Sequence, residues 1–153
     1  MPVRFRLLLA ASFLPAQLAL AQIPASNTSG SATTHISAHL PAQKDFHQFL
    51  TRDLIEHLTP SLGPGITVAY EMLRDAPTQT GIAYPKFYLW ITATKTDNTI
   101  VEGAARVAAI EKKGFQITHF LSRSDIASHP LSIESVFPQT LLHSIRSKAR
   151  LNK

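Results

Sequence analysis

The chain has 153 residues, with 15 Lys and Arg against 10 Asp and Glu, and no cysteine. That length suits one domain, which buries about two thirds of its unfolded surface and so needs no covalent staple. The missing cysteine excludes disulfides, a thiol nucleophile, thiolate zinc ligation and lipid attachment through an N-terminal cysteine.

The N-terminus reads as an address. Residues 1–6 carry Arg4 and Arg6 and no acid, and Leu7 to Leu14 is apolar but for Ser12. Pro15 breaks the run, and Ala19-Leu20-Ala21 sets small residues, Ala19 and Ala21, at the two positions a signal peptidase reads. This is the three-part layout of a secretory signal peptide. The apolar run is far short of the roughly 20 residues needed to span a bilayer. The expectation is a signal peptide over 1–21, cleavage after Ala21, a secreted or periplasmic protein, and no transmembrane segment in the mature chain.

Cleavage removes Arg4 and Arg6 and lowers the formal charge of +5 by two. The remaining excess gathers in Arg146, Lys148, Arg150 and Lys153. Cations there complement the dipole of a helix C-terminus. Without interleaved aromatics as stacking platforms they argue against nucleic acid, but contact with an anionic envelope surface stays open.

Residues 22–41, rich in Ser, Thr, Ala and Pro, show no sustained periodicity and read as a flexible leader. The leader holds the glycosylation acceptor pattern Asn27-Thr28-Ser29 and a His35/His39 pair that nothing fixes on a helix. A single domain over 42–153 follows. Phe46, Phe49, Leu50, Leu54 and Leu58 recur at helical spacing, which predicts a helix from about Ala42 to Leu58. Thr59-Pro60 and Gly63-Pro64-Gly65 should stop it.

The period then becomes two. Ile66, Val68, Tyr70 and Met72 mark a first strand, and Asp75 to Tyr84 an open loop. Lys86 to Lys95 is a second strand, with Phe87, Leu89, Ile91 and Ala93 on one face and Tyr88, Trp90, Thr92 and Thr94 on the other. A two-residue turn at Asp97-Asn98 would set Trp90 opposite Ala105, whose small side chain gives the indole room. Ile100 to Lys112 is the third strand, and Lys113-Gly114 turns the chain. In the fourth strand Phe115, Ile117, His119 and Leu121 alternate with polar residues, which puts His119 on the inward face; Phe120 breaks the pattern. Arg123 to Leu131 reads as a loop. A final helix starts around Pro138, with a stripe of Leu141, Leu142, Ile145 and Ala149.

The fold class is therefore α+β: an N-terminal helix packed on a four-stranded antiparallel meander sheet, followed by a C-terminal helix. The helix-then-meander order, the strand pair around Leu89–Ala93 and Ala105–Ile110, and the closing stretch Gly114-Phe115-Gln116-Ile117-Thr118 resemble the cystatin-like and nuclear-transport-factor-like folds. The resemblance covers roughly residues 42–122 and implies a curved sheet wrapped around the N-terminal helix. The Gln-x-Val-x-Gly loop of cystatin inhibitors is absent, so protease inhibition is not implied. Such folds host enzymes, ligand carriers and partner-binding modules alike.

No His-Glu-x-x-His or Gly-x-Ser-x-Gly motif occurs, no Ser-x-x-Lys stands at a helix start, and Gly63-x-Gly65 is too short to cradle a phosphate. Asp53 and His57 fit an ordinary surface pair one helical turn apart better than a metal site; neither metal nor cofactor is expected. The candidate ligand-binding set is Tyr88, Trp90, Glu102, Arg106 and His119. Each has a plainer reading: sheet packing for the aromatics, a solvent-facing row for Glu102 and Arg106, and a core histidine for His119. The functional expectation is an exported, non-enzymatic small domain that binds a small ligand or a protein partner. The alternatives are a cavity hydrolase or isomerase with His119 as base, helped by Glu102 or Glu71, and envelope contact through the basic C-terminus.

Overall fold

The computed structural model describes residues 38–150. The expected signal segment with Ala19 and Ala21, the Asn27 acceptor, His35 and Lys153 lie outside the described residues. The end of the expected leader does not hang loose. Pro41 is buried, Leu40 packs on the core, the His39 ring meets Tyr84 edge-on at 5.2 Å, and the His39 carbonyl accepts from Lys112 N.

Helix α1 spans Gln43–Leu62 and buries Leu50, Leu54 and Leu58. It runs through Pro60 rather than stopping there, because Leu62 continues the apolar stripe onto the core. Proline this close to a helix end removes only one backbone bond. The Thr59 hydroxyl donates to the Ile55 carbonyl, and Gly63 closes the helix with φ 93°.

The strands β1 (Thr67–Met72), β2 (Lys86–Thr94), β3 (Ile100–Ile110) and β4 (Gly114–Ser122) form one antiparallel sheet in sequence order. The β2–β3 loop holds three residues, not two. Lys95 N donates to Thr99 O, Thr94 pairs with Ile100, and Asn98 takes the left-handed conformation at φ 64°. The register therefore differs by one from expectation: Trp90 stands opposite Ala104, and Leu89 opposite Ala105. Ala104 gives the indole its room, while Gly103 makes room for another ring. A Cβ on Gly103 would run into the Leu121 carbonyl and the ring of Phe120.

The β3–β4 turn also departs from expectation. It is made by Glu111 and Lys112, both left-handed (φ 48° and 63°), and Gly114 already belongs to β4. Two consecutive non-glycine residues at positive φ are strained and need outside support. Helix α1 supplies it. Arg52 donates to Lys113 O, and Asp53 Oδ2 accepts from Phe115 N at 2.6 Å. Gly114 permits that approach, since a Cβ there would meet the Asp53 carboxylate. Asp53 is thus a clasp between α1 and the sheet.

Beyond the sheet, Arg123–Ser128 forms a short helix α2 where a loop was expected, and Gln139–Arg150 forms α3. Ser122 caps α2 by accepting from Asp125 N. The sheet is consequently covered on both faces. Phe87, Leu89, Ile91, Ala105 and Val107 pack under α1. On the other face Tyr88, Trp90 and Ala104 pack under Ile126, Ile133, Phe137 and the α3 stripe Leu141, Leu142, Ile145 and Ala149.

Leu50 and Leu89 are both fully enclosed between α1 and the sheet. Truncating either to Ala should cost about 2–5 kcal/mol, the range for deleting buried aliphatic groups. Urea denaturation would read this as a lower midpoint at constant slope. Unchanged midpoints in both variants would refute the helix-on-sheet core.

Candidate functional site

The residues singled out from sequence all lie on the face of the sheet opposite α1, and that face is largely closed. Tyr88 and Trp90 are buried in the second core. The Tyr88 ring lies 6.0 Å from that of Phe137, and its hydroxyl shares a 2.8 Å hydrogen bond with the Thr78 hydroxyl. A buried tyrosine with its polar tip satisfied is a packing residue. The packing reading therefore describes both aromatics.

His119 is not on the inward face with Phe115 and Ile117. Between Arg106 and Val107 the register shifts: Arg106 pairs with His119 and Val107 with Ile117, so Thr118 is an extra residue in β4. A bulge of this kind inverts the facing of everything beyond it. Phe115, Ile117 and Phe120 then all reach the α1 core, which explains the apparent anomaly at Phe120. Leu121 joins the second core, and His119 is exposed beside Arg106.

Arg106 organises this spot. Its Nη2 lies 2.7 Å from His119 Nδ1, its Nε donates to the Thr118 hydroxyl, and its Nη1 donates to the Val136 carbonyl. A guanidinium can only donate. His119 Nδ1 must therefore accept, which leaves the ring neutral with its proton on Nε2. Partial desolvation, and then the Arg106 charge, hold the His119 pKa below the ordinary imidazole value. The carboxylates considered as helpers stand elsewhere. Glu102 lies four residues along β3 from Arg106, about 13 Å, and pairs with Arg123 at 2.8 Å. Glu71 lies on β1 at the far side of the sheet, about 14 Å across three strand spacings, and pairs with Lys148 at 2.7 Å. The structure brings Arg106 and His119 together and leaves both acids apart from them.

Glu102 and Arg106 do not form a solvent row, because the C-terminal layer crosses their face. The Glu102–Arg123 pair is four-fifths buried on both sides, and Arg123 Nε also donates to Ala149 O, tying α2 to α3. Beside this tie the two helices part into a cleft of about 640 Å³. Its apolar lining comes from Ile126, Ala127, Pro130 and Ala149. Its polar lining residues are Ser124, Arg123, Arg146 and Arg150. Arg146 pairs with Glu134 at 2.6 Å, whereas Arg150 has no acidic partner among the described residues. A shallower hollow over His143 and Ser147 shares Arg146 and Arg150 with the cleft.

Sequence reasoning missed this cleft because it left 123–131 as a loop. The signal was present: Ser122-x-x-Asp125 followed by Ile126 is a helix-start pattern. Among the described residues no group of three His, Asp or Glu side chains converges as a metal site, and Asp53 is spent on the β3–β4 turn rather than shared with His57. Among the same residues no helix is long and apolar enough to cross a membrane. Compared with known proteins, the chain matches no family model, no curated protein and no solved structure.

The desolvation of His119, and then its contact with Arg106, set a pH dependence. A histidine with a lowered folded-state pKa takes up fewer protons than the unfolded chain between that value and the ordinary one. Its stabilising effect is present above the ordinary value and lost as pH falls toward the lowered one. Replacing Arg106 with Gln should move the His119 midpoint upward in an NMR titration, part of the way to the ordinary value, since desolvation remains. A midpoint that does not move would refute the contact.

Proposed function

We propose that this protein is an exported, non-enzymatic binding domain that holds a small ligand with an apolar body in the cleft between α2 and α3. The observation that carries the reading is the cleft itself. Its volume of about 640 Å³ falls within the roughly 300–1,000 Å³ of small-molecule sites, and its mixture of apolar wall and a few polar groups is the composition such sites use. The state of His119 supports the same reading from the negative side. Its Nδ1 lone pair is occupied by a cation, and neither carboxylate candidate is near enough to orient it. The helix-then-meander order fits a fold-level kinship with the cystatin-like and nuclear-transport-factor-like folds, which host enzymes, ligand carriers and binding modules alike and so do not choose among them.

Export belongs to this proposal and rests on the residue 1–21 pattern. Intact mass of the protein recovered from the exported fraction should correspond to a chain beginning at Gln22. Recovery of the full-length chain from the cytosol would overturn the address.

Binding is tested with the neutral fluorescent amphiphile N-phenyl-1-naphthylamine and thermal denaturation of the mature chain. A ligand at a hundred times its Kd stabilises the folded state by about 2.7 kcal/mol, which is readable as a raised Tm. Ala127→Trp, on an exposed cleft position, should abolish both the fluorescence gain and the Tm shift. His119→Ala should keep both. Absence of binding by the wild type would overturn the reading. So would a hydrolytic or isomerase turnover that collapses in His119→Ala with the fold intact.

A further inference from the structure

The charges around the cleft are not balanced evenly, and the imbalance points to a head group. Three arginines reach its lining: Arg123, Arg146 and Arg150. Arg123 is matched by Glu102 at 2.8 Å and Arg146 by Glu134 at 2.6 Å. Arg150, one helical turn beyond Arg146 on α3, has no acid facing it among the described residues. On the neighbouring surface, Lys148 is matched by Glu71, and Asp125 is held by the Ser122 hydroxyl. Among the described residues, Arg150 is therefore the cleft arginine without an acidic partner, and it stands beside an apolar wall.

We propose that the cleft takes a single-chain amphiphile with one anionic head group, a carboxylate of the fatty-acid type. The proposal rests on the binding-domain reading above and deepens it. The head group lies at Arg150, within reach of Arg146, and the chain runs along Ala127, Pro130 and Ala149 over Ile126. Arg146 gives only its Nη2 to Glu134 and Pro130 O, so its Nε and Nη1 keep donors for a second contact. The planar guanidinium fork matches a carboxylate with two parallel hydrogen bonds, which a lysine could not reproduce. A polyanion fits less well. To gather the charge of Arg123 as well it would have to displace Glu102, and the Arg123–Glu102 pair is four-fifths buried. Separating a pair held that far from water leaves both partners poorly solvated.

Competition against bound N-phenyl-1-naphthylamine on the mature chain tests this, with decanoate, decanol, decyltrimethylammonium, inorganic phosphate and phosphatidylglycerol vesicles as competitors. Decanoate should bind at least tenfold more tightly than decanol, and the ammonium and the phosphate should not compete. Arg150→Gln should erase the margin of decanoate over decanol and leave decanol unchanged, whereas Arg150→Lys should keep part of it. Equal affinity for acid and alcohol, with Ala127→Trp still blocking both, would overturn the head-group assignment and leave the cleft reading standing. Loss of all binding in the wild type would overturn both. Displacement by phosphate alone, or by vesicles but not by decanoate, would assign the arginines to a free anion or a membrane surface and so refute the proposal.

Discussion

The constraint on which the structure depends is that the central strand β2 is apolar on both faces through its middle. In β2 Phe87, Leu89 and Ile91 point one way and Tyr88 and Trp90 the other, and all of them are buried. A single helix can cover only one side of such a strand. Helix α1 takes the first face, and the second has to be closed by whatever chain remains. That requirement pulls the C-terminal segment across the sheet and fixes where α2 and α3 lie. The cleft between those helices is a by-product of the closure. Two short elements laid over Tyr88 and Trp90 bury Ile126 and Ile145 in the second core and leave the cleft beside the Arg123–Ala149 tie.

The clasp at Asp53 belongs to the same logic on the opposite face. Helix α1 is held by apolar packing, which is indifferent to small rotations. The charged hydrogen bond to Phe115 N is directional, and bonds of this kind contribute about 1.5–3 kcal/mol. It fixes the helix against the strained Glu111-Lys112 turn, and the Arg52 bond to Lys113 O acts at the same place. The packing supplies the strength of the layer and the clasp supplies its position.

Most of the architecture was legible in the chain, because periodicity carries it. The α1 stripe at Leu50, Leu54 and Leu58, the alternation in β2 and the α3 stripe all survive in the structure. What was not legible turned on single-residue offsets. One extra residue in the β2–β3 loop moved Trp90 from Ala105 to Ala104, and one extra residue in β4 moved His119 off the face of Ile117. Alternation is blind to such insertions unless the mismatch is followed through. The apolar spacing Phe115, Ile117, Phe120 was the trace of the bulge. The candidate set chosen from sequence looked for chemistry on the sheet, and the second helical layer covers most of that face. The arginines of the cleft come from two stretches, Arg123 on α2 and Arg146 with Arg150 on α3, so no local spacing could bring the first to the other two.

The bulge at Thr118 has a bearing on the company this sheet keeps. With the order β1-β2-β3-β4, the outer side of β4 presents backbone groups that another extended chain could pair with. A flat edge of this length would be a template for self-association. Thr118 interrupts the regular spacing of those groups, and β-bulges increase local twist. The surface at the interruption is Thr118, His119 and the Arg106 guanidinium, a polar and partly charged cluster bound into itself. A second copy approaching this edge would meet a kinked ladder and a cation rather than a continuous row of donors and acceptors. The residue that confuses the sequence pattern is thus the one that breaks the regular ladder along the β4 edge.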